Sequence, residues 1–262
     1  MPARPSKPDT KAAKTAPQTL ARLVAIHPDA HCELDHDGPF QLLVATVLSA
    51  QTTDVAVNKV TPKLFAAYPD AASLAKAAQG DVERLIDTIG MFRQKSKNVI
   101  GLAKKLVEKH GGEVPRSMAA LVELPGVGRK TANVVLGVIW GTPDGVVVDT
   151  HVSRIAQRLG WTKSTDPADI ERDLCGLLPR EEWDRTSHTL IFHGRRVCFA
   201  RKPGCEGCGV ADVCPSAHKA ENVGRKPPRA PRKAATKPTK PTKPTKKATK
   251  TAAKKATTKR AR

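Results

Sequence analysis

The chain has 262 residues, 39% hydrophobic and 27% charged, enough for one large or two small domains with an ordinary core. Its net charge of +20 is uneven: residues 225–262 hold sixteen Lys and Arg and no Asp or Glu, so residues 1–224 carry only +4. The N-terminus has no apolar secretory core, and no apolar run of about 18 residues occurs, which excludes exported and membrane-spanning classes and points to a cytoplasmic protein with no membrane partner.

In chain order, residues 1–16 are rich in Pro, Ala and Lys and are expected to lack structure. Helical periodicity or composition then predicts Gln18–His27, Phe40–Ala50, Val57–Tyr68, Ser73–Ala78, Asp81–Ile86, Gln94–His110, Ser117–Glu123, Arg129–Trp140, Thr150–Leu159, Pro167–Leu178 and Glu181–His193, separated by Pro, Gly or Asp. No alternating strand pattern competes, and Val146-Val147-Val148 is too short to argue for a sheet. Residues 217–262, with Lys-Pro-Thr repeats from Lys237 to Lys246, offer no core-forming run and read as a disordered basic tail.

Between the seventh and eighth helices lies Leu124-Pro125-Gly126-Val127-Gly128-Arg129-Lys130-Thr131. Alternate glycines let the backbone turn tightly against a ligand, and the first N–H groups of the following helix face outward at its positive end, which suits a phosphate. An amine at Lys130 and a carboxylate at Asp149 follow within twenty residues. Singly, Lys130 reads as a solvated helix residue and Asp149 as the N-cap of the helix from Thr150; capping would also fix the carboxylate in place. His151 is a core or capping residue with no catalytic step.

Four of the six cysteines fall in Cys198-x6-Cys205-x2-Cys208-x5-Cys214. Four thiols within so short a span, in a chain without an export signal, argue for metal rather than disulfides. Only one close pair is present, which fits zinc poorly and suits a four-iron cube with one thiolate per iron. Cys32 and Cys175 stand apart and are expected to be buried packing residues.

The hairpin string, the Val148-Asp149-Thr150-His151 element and the cysteine spacing together resemble the endonuclease III family of the helix-hairpin-helix superfamily, over residues 18–216. That resemblance implies an all-α, two-lobed glycosylase fold. The N-terminal helix (17–28) would pack with a cluster lobe (144–216), opposite a six-helix lobe (29–143). It further implies a DNA glycosylase and abasic-site lyase acting on oxidised pyrimidines in double-stranded DNA, as a monomer associated with the bacterial nucleoid. Lys130 matches the family's nucleophile and Asp149 its essential aspartate. Gly126, Val127 and Gly128 match the phosphate-holding hairpin, which often binds a monovalent cation, and the four cysteines match the ligands of a [4Fe–4S] cluster. Gln51 takes the place of the residue that fills the gap left by a flipped base, and Met91 that of a wedge pressed into the base stack. Arg201 and Lys202, on the cysteine loop, are expected to reach DNA phosphate.

The chemistry is coherent on its own terms. A base inside a duplex hides the sugar carbon, so the nucleotide must be extruded and its gap filled. Attack needs a neutral amine, which a nearby cation such as Arg129 is expected to favour, while Asp149 accepts a proton or offsets charge growing on the sugar. The basic tail is expected to track DNA phosphates without reading sequence. Two alternatives remain open at this point: an adenine-specific mismatch glycosylase, whose branch generally lacks a lysine at the Lys130 position and adds a folded C-terminal domain, and a non-enzymatic DNA-binding protein.

Overall fold

The computed structural model describes residues 10–220 and 223. Helices α1 (Thr10–Ile26), α2 (Gly38–Leu48), α3 (Asp54–Ala67), α4 (Ala71–Ala75), α5 (Gln79–Leu85), α6 (Phe92–His110), α7 (Met118–Leu121), α8 (Arg129–Trp140), α9 (Thr150–Arg158), α10 (Pro167–Leu177) and α11 (Trp183–Arg196) follow one another, and no strand occurs among the described residues.

Their apolar faces build two separate cores. One gathers Leu42, Leu43, Leu48, Leu64, Leu102, Leu106 and Val135 from α2 to α8. The other joins Leu20 and Leu23 of α1 to Val152, Ile155, Trp161, Leu174 and Leu190 from α9 to α11, with Cys198, Cys208 and Cys214 against it. The first helix of the chain thus packs with the last ones, far away in sequence.

Local chemistry sets the helix ends. Thr53, Ser117, Asp149 and Asp166 accept backbone N–H bonds at their N-caps. Gly111 and Gly141, both left-handed, close α6 and α8. α7 is a single turn, shorter than its composition predicts, because Leu121 and Leu124 plug the core and draw the chain into the hairpin.

Both termini of the folded body extend beyond the expected limits. α1 starts at Thr10, inside the segment expected to lack structure, because Ala- and Lys-rich sequence favours helix and Ala16 is fully buried against the second core. At the other end Ala220 is 2% exposed and the Val223 carbonyl accepts from buried Arg158, so the chain is anchored past residue 217. Residues 1–9 and the tail from 224 onward lie outside the described residues.

Ion pairs tie elements of the two cores together. Arg129 of α8 binds Asp144 (3.0 Å) and Glu171 of α10 (2.9 Å), and Arg195 of α11 pairs with Glu33 and with Asp54 at 3.4 Å. α8 and α11 also approach closely: a Cβ on Gly137 would collide with the Asp184 carboxylate.

Candidate active site between the two cores

A pocket of about 360 Å³ opens where these elements meet, lined among others by Gln51, Asp54, Lys130, Asp149, His188 and Arg195. Lys130 projects from the first turn of α8 and is exposed. Asp149 is half-buried at the N-cap of α9. One of its carboxylate oxygens accepts from both His151 N (2.7 Å) and Val152 N (2.8 Å), leaving the other with no protein donor among the described residues. Capping and availability for chemistry therefore coexist in one side chain.

Gln51 sits in the loop between α2 and α3 with φ 54°, and Met91 caps α6 with φ 57° and half of its surface exposed. Left-handed backbone at a non-glycine residue is strained, and such strain collects where function over-determines a conformation. Lys202 (φ 49°) and His218 (φ 60°) are the other non-glycine cases among the described residues. Gln51, Lys130 and Asp149 share the pocket, whereas Met91, Arg201 and Lys202 do not line it; Arg201 and Lys202 are exposed on the cysteine loop.

In the hairpin, Gly126 adopts φ +80°, and a side chain there would press within 3.1 Å of Asn98 and Val47. Val127 is 7% exposed, and its N–H closes the turn on the Leu124 carbonyl at 3.1 Å. Of the three hairpin residues, only Gly126 and Gly128 keep N–H groups without a protein acceptor among the described residues. No side chain caps α8, so its first amides are likewise open to an anion.

Arg129 differs from its expected role. Its guanidinium is held between Asp144 and Glu171, which neutralise it, so it is not a free cation beside Lys130. The ionisable groups that share the Lys130 pocket include Glu33, Asp54, Asp149, Asp184, His188 and Arg195. Sequence reading passed over Asp54, although it follows Gln51 by three residues. Burial chiefly, with Asp149 acting in the same direction, pushes its carboxyl above the usual range, against the opposing pull of Lys130 and His188. No local pattern marks Asp54, since residues from α3, α8, α9 and α11 create its surroundings. Cys32 also lines this pocket, half-buried, and Cys175 is half-buried against the second core.

The other four cysteines border a small space that Arg158, His193, Ile155 and Val210 help to line. Arg158 donates to Cys198 Sγ at 3.2 Å, and His193 Nε2 lies 3.8 Å from Cys208 Sγ. Burial pushes the Cys208 and Cys214 thiols up, and the neighbouring thiols add to this, so holding these sulfurs together as thiolates calls for a strongly positive group among them. Among the described residues no set of three or more His, Cys, Asp or Glu side chains converges as ligands of one ion would. Four sulfurs around a shared space, with N–H donors behind them, fit a multi-iron core better than a single zinc.

Residues 44–180 match the family described as HhH-GPD superfamily base excision DNA repair protein. Endonuclease III of Synechocystis sp. is 54% identical over 202 residues, covering 77% of this chain and 92% of its own. Endonuclease III of Escherichia coli K12 is 41% identical over 204 residues, covering 78% and 96%. A solved structure of a trapped endonuclease III–DNA covalent intermediate, an estranged-adenine complex, superposes with a TM-score of 0.74 at 42% identity, covering 78% of this chain and 96% of that one. The chain thus belongs to the HhH-GPD superfamily of base excision DNA repair proteins and, within it, to the endonuclease III family.

Proposed function

We propose that the chain is a bifunctional DNA glycosylase and abasic-site lyase that removes oxidised pyrimidines from duplex DNA. The observation that carries this reading is the pocket that gathers the Lys130 amine, the open oxygen of Asp149 and the strained Gln51 at one mouth. Extrusion of the damaged nucleotide brings its C1′ to Lys130, with Met91 pressed into the stack and Gln51 in the gap. The Lys130 nitrogen bonds to C1′ as the bond from C1′ to the base breaks and the base leaves with the electron pair. Asp149 offsets the positive charge that builds on the sugar. The nitrogen then gives up a proton and the C1′–O4′ bond breaks, O4′ taking a proton as the sugar ring opens. The iminium so formed acidifies the C2′ hydrogen, and its loss expels the 3′ phosphate with the C3′–O electron pair, cutting the strand on that side. Gly126, Gly128 and the first amides of α8 hold a backbone phosphate, an arrangement that also suits a monovalent cation.

Cys198, Cys205, Cys208 and Cys214 hold a [4Fe–4S] cluster, which supplies structure rather than reaction chemistry. Its loop presents Arg201 and Lys202 to phosphate. Residues 225–262 bring sixteen positive charges to the same polyanion. Borohydride reduction tests the reading: the full-length chain should be trapped covalently on abasic duplex DNA, and Lys130→Gln should abolish trapping and base release while DNA binding persists. Trapping that survives Lys130→Gln would overturn the mechanism, and the absence of trapping by the unaltered chain would leave a DNA-binding protein.

A further inference from the structure

α6 contains a buried lysine that the mechanism above does not use. Lys95 is 3% exposed, and its ammonium has one protein acceptor among the described residues, the Thr52 hydroxyl at 2.6 Å. An amine taken from water is ordinarily matched to a carboxylate. Here it is matched to a neutral hydroxyl, and burial lowers its basicity with no anion to offset the effect. So costly an arrangement needs a reason, and the surrounding bonds supply one.

Thr52 is the residue after Gln51. Its hydroxyl accepts from Lys95 and donates back to the Ala50 carbonyl at 3.4 Å, bridging over Gln51 from one neighbour to the other. The Thr52 N–H bonds the Ser49 carbonyl at 3.0 Å, so the loop from 49 to 52 closes on itself with Gln51 left-handed at its tip. Nothing in the Gln51 side chain compensates for that backbone conformation in the way that glycine's missing Cβ would. The external tie is the lysine.

The same lysine is one helical turn from the second strained residue. Its N–H donates to the Met91 carbonyl at 3.0 Å, the first bond of α6. Lys95 therefore fastens the Gln51 loop, by its side chain, to the helix end that carries Met91, by its backbone. A gap filler from one loop and a wedge from another must enter the duplex in fixed register, and a single residue joining the two would set it.

We propose that Lys95 is a positioning residue that holds Gln51 in its left-handed conformation through Thr52 and locks it in register with Met91. The inference rests on the functional reading above, in which Gln51 and Met91 enter the duplex. It concerns only substrates with a partner strand, because a single strand has no stack to wedge and no orphaned base to meet.

The test compares abasic-site lyase rates of the full-length chain on duplex and on single-stranded oligonucleotides of the same sequence, with melting temperature measured in parallel. Lys95→Met keeps the aliphatic stem and removes the donor; Thr52→Val keeps the shape and removes the acceptor. Both should lower the ratio of duplex to single-strand rate by about tenfold, as expected for loss of a charge-assisted hydrogen bond that fixes a contacting group. In a Gln51→Ala background either change should lower that ratio little further, since the group being positioned is already gone. Lys95→Arg, which can still donate to Thr52, should restore part of the ratio. Equal loss on both substrates, tracking a lower melting temperature, would overturn the proposal by making Lys95 a purely structural residue, as would full additivity with Gln51→Ala. An unaltered chain inert on both substrates would instead overturn the functional reading, and this inference with it.

Discussion

Arg158, the last residue of α9, offers a direct test of how the cysteine loop is held. It is 1% exposed, and no carboxylate pairs with it among the described residues. Its guanidinium donates to the carbonyls of Phe199 (2.7 Å), Val223 (2.9 Å), Ala200 (3.1 Å) and Cys198 (3.4 Å), and to Cys198 Sγ (3.2 Å). Arg158→Met preserves the stem and removes every donor. Phe199 and Ala200 are exposed enough for water to replace part of that bonding, so we take two bonds at full strength rather than all five. At about 1.5–3 kcal/mol for each hydrogen bond to a charged group, the destabilisation is about 3–6 kcal/mol, or a fall in melting temperature on the order of 10 °C for a body of this size. Because the guanidinium also donates to Cys198 Sγ, a ligand of the proposed cluster, iron content should fall with stability. Calorimetry and the iron-to-protein ratio of protein prepared anaerobically are the assays, with Arg158→Lys expected to recover only part of the stability, since an ammonium cannot span the fork. A melting temperature within about 2 °C of the unaltered chain, well inside the shift expected for even one such bond, with full iron content, would refute the reasoning.

Three further outcomes follow from the same geometry. Gly126→Ala imposes a left-handed alanine, worth about 1–2 kcal/mol, and presses on Asn98 and Val47; it should melt several degrees lower and weaken DNA binding, whereas Gly128→Ala, with nothing within 4 Å, should melt like the unaltered chain. Asp54→Asn removes both the burial cost of that carboxyl and its 3.4 Å pairing with Arg195, which is worth little at that exposure, so it should stabilise the fold at pH 7. A carboxyl whose folded pKa lies above its unfolded value costs stability once both states are ionised, and the cost disappears as pH falls through that range, so the gain should shrink towards about pH 4; melting curves at the two pH values decide, and a gain that does not depend on pH would count against a raised Asp54. Deleting residues 225–262 should flatten the salt dependence of binding to undamaged duplex, by about 0.9 in log–log slope for each phosphate that the tail no longer neutralises; superimposable salt series would remove the tail from DNA binding.

The sequence by itself determined the helical architecture, the hairpin and the grouping of four cysteines on one loop, because each depends on chemistry within a few residues. Apolar spacing at 3.6 residues needs only the local chain, as do Gly126 at positive φ, Asp149 capping α9, and four thiols within one short stretch. Arg129 and Asp54 mark where that reach ended. Their partners come from residues 15 to 141 positions away: Asp144 and Glu171 for the first, Arg195, Lys130 and Asp149 for the second. Lys95 was unmarked for the same reason, since a lysine in a helix is ordinarily solvated, and only the fold of α6 under the loop from 49 to 52 buries it against Thr52. Charge on a side chain is a property of the residue, but its environment is set by which elements meet around it, and that meeting is decided by the two cores.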